Sequence, residues 1–323
     1  MRYESSVKQS ALLLACLALA CSETKTSDDA GTDAGPPPLD PSLFDCTSLP
    51  NLPRRKAAST PECLRDPKCT TRLVSAHRGA GGQLGRIAPE DTLAAYRAGI
   101  AMGVDLVETD PRPTSDGVLV NIHDPTLDRT TTGTGDVDAH TYAEIQALSI
   151  RADGLAGDFS CERVPTLKQL LETCVGRAMV LVDGNKTNRV DLLVQAIHDA
   201  NALDWAVFDT SDTAKIDAAL ALEPNLMIQP RIEAAADAPA ILAKYASHLP
   251  VFVEVDASIW PQTADLVHAA GTRTLTDVFG IDLGVKFGSD PAEYLTVYAQ
   301  GADVAQSDLP DLVLRALGRP VPP

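Results

Sequence analysis

The chain has 323 residues, 45% hydrophobic and 22% charged, enough apolar material to bury one large core or two modest ones. A formal net charge of −17 and a pI near 4.6 exclude a nucleic-acid-binding protein, because a phosphate backbone needs basic patches. Such acidity says little about fold, but it suits a site loaded with a cation.

Arg2 and Lys8 precede an apolar run from Ala11 to Ala20, which is too short to span a bilayer and reads as a signal peptide over residues 1–20. The small residues ahead of Cys21 resemble a bacterial lipoprotein cleavage site, with Cys21 as the lipidated N-terminus. Cys16 fits less well, since cleavage there leaves only Ala11 to Ala15 as the apolar run. The resemblance implies export and a membrane anchor. Ser22 in place of an aspartate points to the outer membrane or periplasm of a Gram-negative cell. Ser22 to Pro41, with Pro36-Pro37-Pro38 at its centre, is too polar to bury area against its conformational entropy. Residues 21–45 are therefore expected to be the lipidated cysteine and a disordered tether, and 46–72 an N-terminal extension.

Beyond the leader lie Cys46, Cys63, Cys69, Cys161 and Cys174, an odd number, in a compartment where disulfides form. Closeness in sequence favours Cys63–Cys69 and Cys161–Cys174, leaving Cys46 free. No cysteine or histidine spacing supports zinc.

From Leu73 the chain alternates β-branched runs with helical patterns, as βα units do. The expected strands are Leu73–His77, Asp105–Asp110, Ala178–Asp183, Trp205–Asp209, Leu226–Pro230, Val251–Asp256, Thr272–Thr276 and Asp303–Ser307. Within Thr92–Met102, Leu93, Tyr96 and Ile100 repeat at helical spacing, and Gly103 closes the helix. A ninth run, Val118–His123, follows Asp110 too closely for a parallel crossover, so it must return antiparallel as a hairpin arm of strand two. Eight parallel strands then remain, the number that closes a (β/α)₈ TIM barrel over residues 73–323. From Thr130 to Arg163, glycines at 133, 135, 154 and 157 read as loop, with a helical piece near Tyr142–Leu148. Pro165-Thr166-Leu167 then starts the helix before strand three.

Chemistry-bearing residues concentrate between positions 77 and 133. They are His77-Arg78-Gly79, Pro89-Glu90-Asp91-Thr92, Glu108-Thr109-Asp110, Thr114-Ser115-Asp116-Gly117, His123-Asp124 and Asp128-Arg129-Thr130-Thr131-Thr132-Gly133. In the barrel reading, His77, Glu108, Asp110 and Asp183 fall at the carboxyl ends of strands, where such barrels carry their active sites. The hairpin can bring His123 over the same mouth. Imidazoles move protons near neutral pH, a guanidinium grips a phosphate in two places, and carboxylates at i and i+2 share a strand face where they can hold a hard cation. His140, His198, His248 and His268 lack such context and read as packed or surface histidines.

In order and spacing these segments resemble the glycerophosphodiester phosphodiesterase family, whose pattern reads HRG, PEN-T, E-x-D, T-x-D-G, HD and D-R-T-T-x-G. Gly301-Ala302-Asp303 and Ser307-Asp308-Leu309-Pro310 are similar to the family's closing G-x-D and T-D-x-P segment. The resemblance implies that Thr130 to Arg163 form a small inserted lobe after strand two. It also implies His77 and His123 as an acid–base pair, Arg78 and Glu90 as substrate contacts, and Glu108 and Asp110 as metal ligands. At strand three, relatives place a glutamate two residues before a lysine. Here Asp183 stands three before Lys186, the expected third metal ligand and a phosphate contact. A similar aspartate occurs in the spider-venom phospholipase D enzymes.

The expected cofactor is one divalent cation, Ca²⁺ or Mg²⁺, given an all-oxygen ligand set. The expected activity is hydrolysis of glycerophosphodiesters to glycerol 3-phosphate and an alcohol by a monomeric enzyme. The alternatives are a phospholipase D-type enzyme acting on lipid phosphodiesters and a noncatalytic tethered binding protein that keeps the fold.

Overall fold

The protein is described by a computed structural model that covers residues 39–48, 52–54, 61–66, 68–80, 82, 84–85 and 87–322. The signal peptide expected over 1–20, Cys21 and the tether as far as residue 38 lie outside the described residues.

Eight short parallel strands close into a barrel: β1 (Leu73–Ala76), β2 (Leu106–Thr109), β5 (Met179–Asp183), β6 (Ala206–Thr210), β7 (Met227–Ile232), β8 (Val253–Val255), β9 (Thr274–Asp277) and β10 (Val304–Ser307). Every strand starts and ends within two residues of its expected bounds. β1 pairs with β10 on one side and β2 on the other, so the first and last strands seal the barrel. Nearly all strand residues are buried, because helices cover the outer face and side chains fill the inside.

α1 (Pro61–Arg65) lies under the barrel floor, and α2 (Leu93–Met102) is the first covering helix. The Thr92 hydroxyl accepts from the Ala95 amide at the α2 N-terminus, and Gly103, at φ 84°, ends it in the left-handed region.

Val118–His123 does return antiparallel. Its core, β4 (Leu119–Asn121), pairs with β3 (Pro111–Pro113), the segment that follows β2. The hairpin is thus a separate two-stranded sheet. Behind it the lobe has its own small core of Val120, Ile122, Leu127, Val137, Ile145 and Val164, with α3 (Tyr142–Gln146) on its surface. α4 (Leu167–Cys174) then begins at a Thr166 capping box and leads into β5.

Two expectations about the N-terminal region are corrected. Leu39 and Phe44, placed by composition in the tether, are buried, and Pro41–Leu43 form a 3₁₀ turn. Phe44 stacks on Phe159 at 6.2 Å and its carbonyl accepts from Arg97, so two apolar anchors hold a segment whose average composition is polar. The disulfides are Cys63–Cys69, as expected, and Cys46–Cys161 rather than Cys161–Cys174. Cys174 sits on the buried face of α4, where burial pushes its thiol up to about 12, while Cys46 reaches Cys161 because the segment before it packs on the lobe.

Candidate active site

The carboxyl ends of β1, β2 and β5 and the end of the hairpin converge at one mouth. Glu108 and Asp110 point the same way from the end of β2, and Asp183 comes from the end of β5. One carboxylate oxygen from each lies within 4.8 Å of the others, and all three residues are buried. Carboxylate oxygens gathered this closely can share one hard divalent cation, whose oxygen ligands sit at about 2.0–2.6 Å.

Three cationic side chains approach without hydrogen-bonding to these carboxylates. Lys186 Nζ is 3.4 Å from Asp110, Arg78 Nε 3.6 Å from Asp110, and an Arg231 nitrogen 3.5 Å from Asp183. Asp110 Oδ2 and Arg78 Nε are both buried without a hydrogen-bond partner. Burial, then Asp110 and Asp91, pushes the Glu108 carboxyl well above its usual range, and burial raises Asp183 as well. Buried, crowded carboxylates with an orphaned oxygen are the environment that a hard divalent cation relieves, so the donor set fits one.

His77 follows β1 directly, and its Nδ1 is 2.7 Å from Asp308 Oδ1, contributed by the segment after β10. Asp308 also accepts from the Gly82 and Leu84 amides. Burial works to raise this carboxyl, but its bond to His77 and the amide bonds hold it below the usual range. An ionised carboxylate only accepts, so Nδ1–H of His77 donates this bond and Nε2 faces the mouth, 3.9 Å from Glu108. A Cβ on Gly82 would lie 2.5 Å from Asp308 Oδ1 and 2.8 Å from His77 Nδ1, so only glycine covers this pair. Phe279 packs against the imidazole at 4.7 Å between centroids.

His123, at the end of the hairpin, has the same arrangement from local parts. Its Nδ1 is 2.9 Å from Asp124 Oδ1, and Asp124 is gripped by Arg129. The Arg129 bonds hold the Asp124 carboxyl well below its usual range. Burial lowers the His123 imidazole. Arg129 also donates twice to Glu90, which accepts from Arg78 Nη1 at 2.9 Å, so one chain of contacts joins His123 to Arg78.

Arg78 adopts φ 52°, a conformation few non-glycine residues take, while its amide donates to Glu108. Asp91, standing where the family pattern has asparagine, is likewise left-handed at φ 57° and accepts from the Tyr96 hydroxyl. Burial, then Asp110 and Glu90, raises its pKa well above the usual range. A protonated Asp91 presents one donor and one acceptor, much as the amide would.

All eight expected site residues, His77, Arg78, Glu90, Glu108, Asp110, His123, Asp183 and Lys186, meet at this mouth. Sequence reasoning quoted Asp308, Asp124 and Arg129 as parts of motifs without giving them work. It missed Arg231, which reaches the mouth from β7 and also pairs with Asp209 and Glu254. A lone arginine in a strand carries no signal of its own.

The fold and site define a barrel with a polar, carboxylate-rich mouth served by two oriented histidines. The family model for the glycerophosphoryl diester phosphodiesterase family matches residues 77–277, and the chain belongs to that family. It is 40% identical over 107 residues to human glycerophosphodiester phosphodiesterase 1, covering 33% of this chain and 31% of that protein. It thus spans about a third of the length of the curated relatives it matches. A crystal structure of a glycerophosphodiester phosphodiesterase from Agrobacterium tumefaciens aligns with 26% identity and a TM-score of 0.62, covering 76% of this chain and 100% of that one. An Oleispira antarctica phosphodiesterase, solved with its product sn-glycerol 3-phosphate, aligns with 24% identity and a TM-score of 0.63 over 78% of this chain and 99% of that one.

Proposed function

We propose that this protein hydrolyses glycerophosphodiesters to glycerol 3-phosphate and an alcohol. One observation carries the reading: two histidines, each with Nδ1 fixed by a carboxylate, flank a buried cluster of three further carboxylates. Family membership and a structural neighbour that holds glycerol 3-phosphate support it. Glu108, Asp110 and Asp183 would hold one divalent cation, Ca²⁺ or Mg²⁺, since all their ligand atoms are hard oxygens. When bound, that cation supplies positive charge against the nonbridging phosphate oxygens.

The chain's own residues do the rest. Arg78 Nε and Lys186 Nζ offer donors to the phosphate, and Glu90 with Arg129 keeps the Arg78 guanidinium in place. The Nε2 atoms of His77 and His123 then share the proton work. One accepts the proton of the attacking hydroxyl or water, and the other protonates the departing alkoxide. A noncatalytic binding protein has no use for two histidines so held. Exposed Leu283 and Phe287, on and just after the helix that begins at Phe279 beside His77, favour a second reading as a lipid phosphodiesterase.

The test is turnover by the purified protein of glycerophosphodiesters, a lysolipid and a chromogenic phosphodiester, with and without Ca²⁺ or Mg²⁺. Release of glycerol 3-phosphate that depends on the cation supports the reading, and inert diesters under every condition overturn it. We also propose that Cys21 is lipidated and anchors the enzyme to a membrane. Cys21→Ser should then block processing or release a soluble protein, and a wild-type protein wholly in the soluble fraction would refute the anchor.

A further inference from the structure

A cleft of about 530 Å³ opens beside the mouth, between the inserted lobe and the loop that follows β5. Arg112, Asp136 and Asp138 line one wall, and Asn185, Lys186 and Asn188 the other. Two contacts tie it to the candidate active site. Lys186 is shared, since its Nζ lies 3.4 Å from Asp110. Arg112 donates to the His123 backbone carbonyl at 2.7 Å and 3.0 Å, so one wall of the cleft is tied to the hairpin end that carries His123. Its size falls within the ~300–1,000 Å³ of ordinary small-ligand sites, but its lining is polar where most are apolar.

The lining sorts into groups already engaged and groups that are not. Arg112 is committed to His123, and the Asn185 carbonyl accepts from Thr210 and Ser211. Among the described residues, the Asp136 and Asp138 carboxylates and the Asn188 amide form no side-chain hydrogen bond or ion pair. The two carboxylates only accept, the Lys186 ammonium and the Asn185 amide nitrogen donate, and the Asn188 amide does both. A hydroxyl both donates and accepts, so several hydroxyls on one ligand can be satisfied at once between such walls. A trimethylammonium group has no hydrogen to donate. Its recognition relies on aromatic faces or on unbalanced negative charge; none of the residues lining this cleft is aromatic, and Asp136 and Asp138 are outnumbered there by Arg112, Lys186 and Arg189.

We propose that this cleft binds the alcohol arm of the diester next to His123 and selects a polyhydroxylated alcohol, such as glycerol or inositol, over choline. The proposal rests on the phosphodiesterase reading and narrows it to one class of head group. In this assignment His123, carried by the hairpin whose Arg112 lines the cleft, protonates the departing alkoxide, and His77 takes the proton from the nucleophile. The P–O bond to the polyol breaks, the new P–O bond to water or a substrate hydroxyl forms, and one proton is taken up as one is delivered.

The experiment compares kcat/KM for glycerophosphoglycerol, glycerophosphoinositol and glycerophosphocholine in the wild-type protein and in Asn188→Ala and Asp138→Ala. A polyol preference of about tenfold or more is expected, the scale of one or two net hydrogen bonds. Each variant should raise KM for the polyol diesters several-fold with kcat nearly constant, moving the polyol-to-choline ratio toward one, because the lost contact serves ground state and transition state alike. Equal or better turnover of glycerophosphocholine, or variants that depress all three substrates equally, overturns the cleft assignment and leaves the phosphodiesterase reading standing. Failure of all three diesters to react removes the activity and the cleft assignment together.

Discussion

The two ends of the barrel are built on opposite principles. At the floor, the N-terminal ends of the strands close over Leu73, Leu106, Met179, Val207, Leu275 and Val304, and Leu64 of α1 is buried among them as a stopper. Buried charges there are answered: Arg273 by the Cys63 carbonyl at 2.7 Å and the face of Phe252 at 5.1 Å, and Asp105 by the Val74 amide at 3.0 Å and by Arg319. At the mouth, Glu108, Asp110 and Asp183 crowd together with an orphaned oxygen, and Arg78 and Asp91 sit in left-handed backbone. The floor holds satisfied groups, and the mouth holds groups waiting for a ligand. Stability and chemistry are thereby separated by the length of the barrel, as is general for this architecture.

The largest expected effect lies at the mouth. His77→Ala and His123→Ala should each lower turnover by about 10²–10⁴-fold, the scale for losing a positioned acid or base. The double variant should be little worse than the worse single one, since the pair acts as a unit. Wild-type kcat in either single variant would remove that histidine from the reaction.

The floor should answer in the opposite sense. Leu64→Ala should lower unfolding free energy by about 2–5 kcal/mol, the range for truncating a buried leucine, while kcat at a temperature where the protein is folded stays near wild type. Denaturant midpoints and steady-state rates measured together decide it. A comparable loss of kcat in the folded variant would show the two ends to be coupled.

Cation binding brings stability to the mouth. Saturation at about 100 times Kd should add about 2.7 kcal/mol of unfolding free energy, read as a rise in melting temperature on adding Ca²⁺ or Mg²⁺ to chelator-treated protein. Asp183→Asn should weaken that rise. An unchanged rise would mean that Asp183 is not a ligand.

Sequence showed most of this molecule and missed specific parts for physical reasons. The eight strands were legible because a strand buried on both faces is a continuous apolar run. The site residues were legible because the catalytic motifs are contiguous in sequence. The partner of His77 was harder to find, since Asp308 lies 231 residues away and meets it only when β10 closes on β1. Arg231 carried no signal, because its role depends on which strand faces Asp183. The Cys46–Cys161 bridge spans 115 residues, and closeness in sequence could not reveal it. Phe44 was hidden by the polar residues around it.

The smallest effect is the sharpest test of strain at the mouth. In the folded, cation-free chain Glu108 has a raised pKa, first from burial and then from Asp110 and Asp91, and Asp91 and Asp183 are raised too. Unfolded carboxyls lose their protons near their ordinary values, about 3.9–4.3. Above that range the folded state holds more protons than the unfolded one, so these groups make stability fall as pH rises through their folded pKa values. Below it both states are protonated and their contribution is fully present. Asp124, Glu90 and Asp308, all lowered, work in the other direction and lose stability as pH falls. A whole-protein pH profile mixes the two sets, but the difference between wild type and Glu108→Gln isolates one group. Glutamine keeps an acceptor for the Arg78 amide and removes the charge. In chelator, Glu108→Gln should therefore gain on wild type as pH rises above the ordinary carboxylate range, with the gap read from urea midpoints at each pH. With saturating cation the order should reverse, because wild type then gains binding energy that the variant lacks. A variant less stable than wild type at every pH in chelator would show that Glu108 is already satisfied, and the contrast between mouth and floor would fail at its central residue.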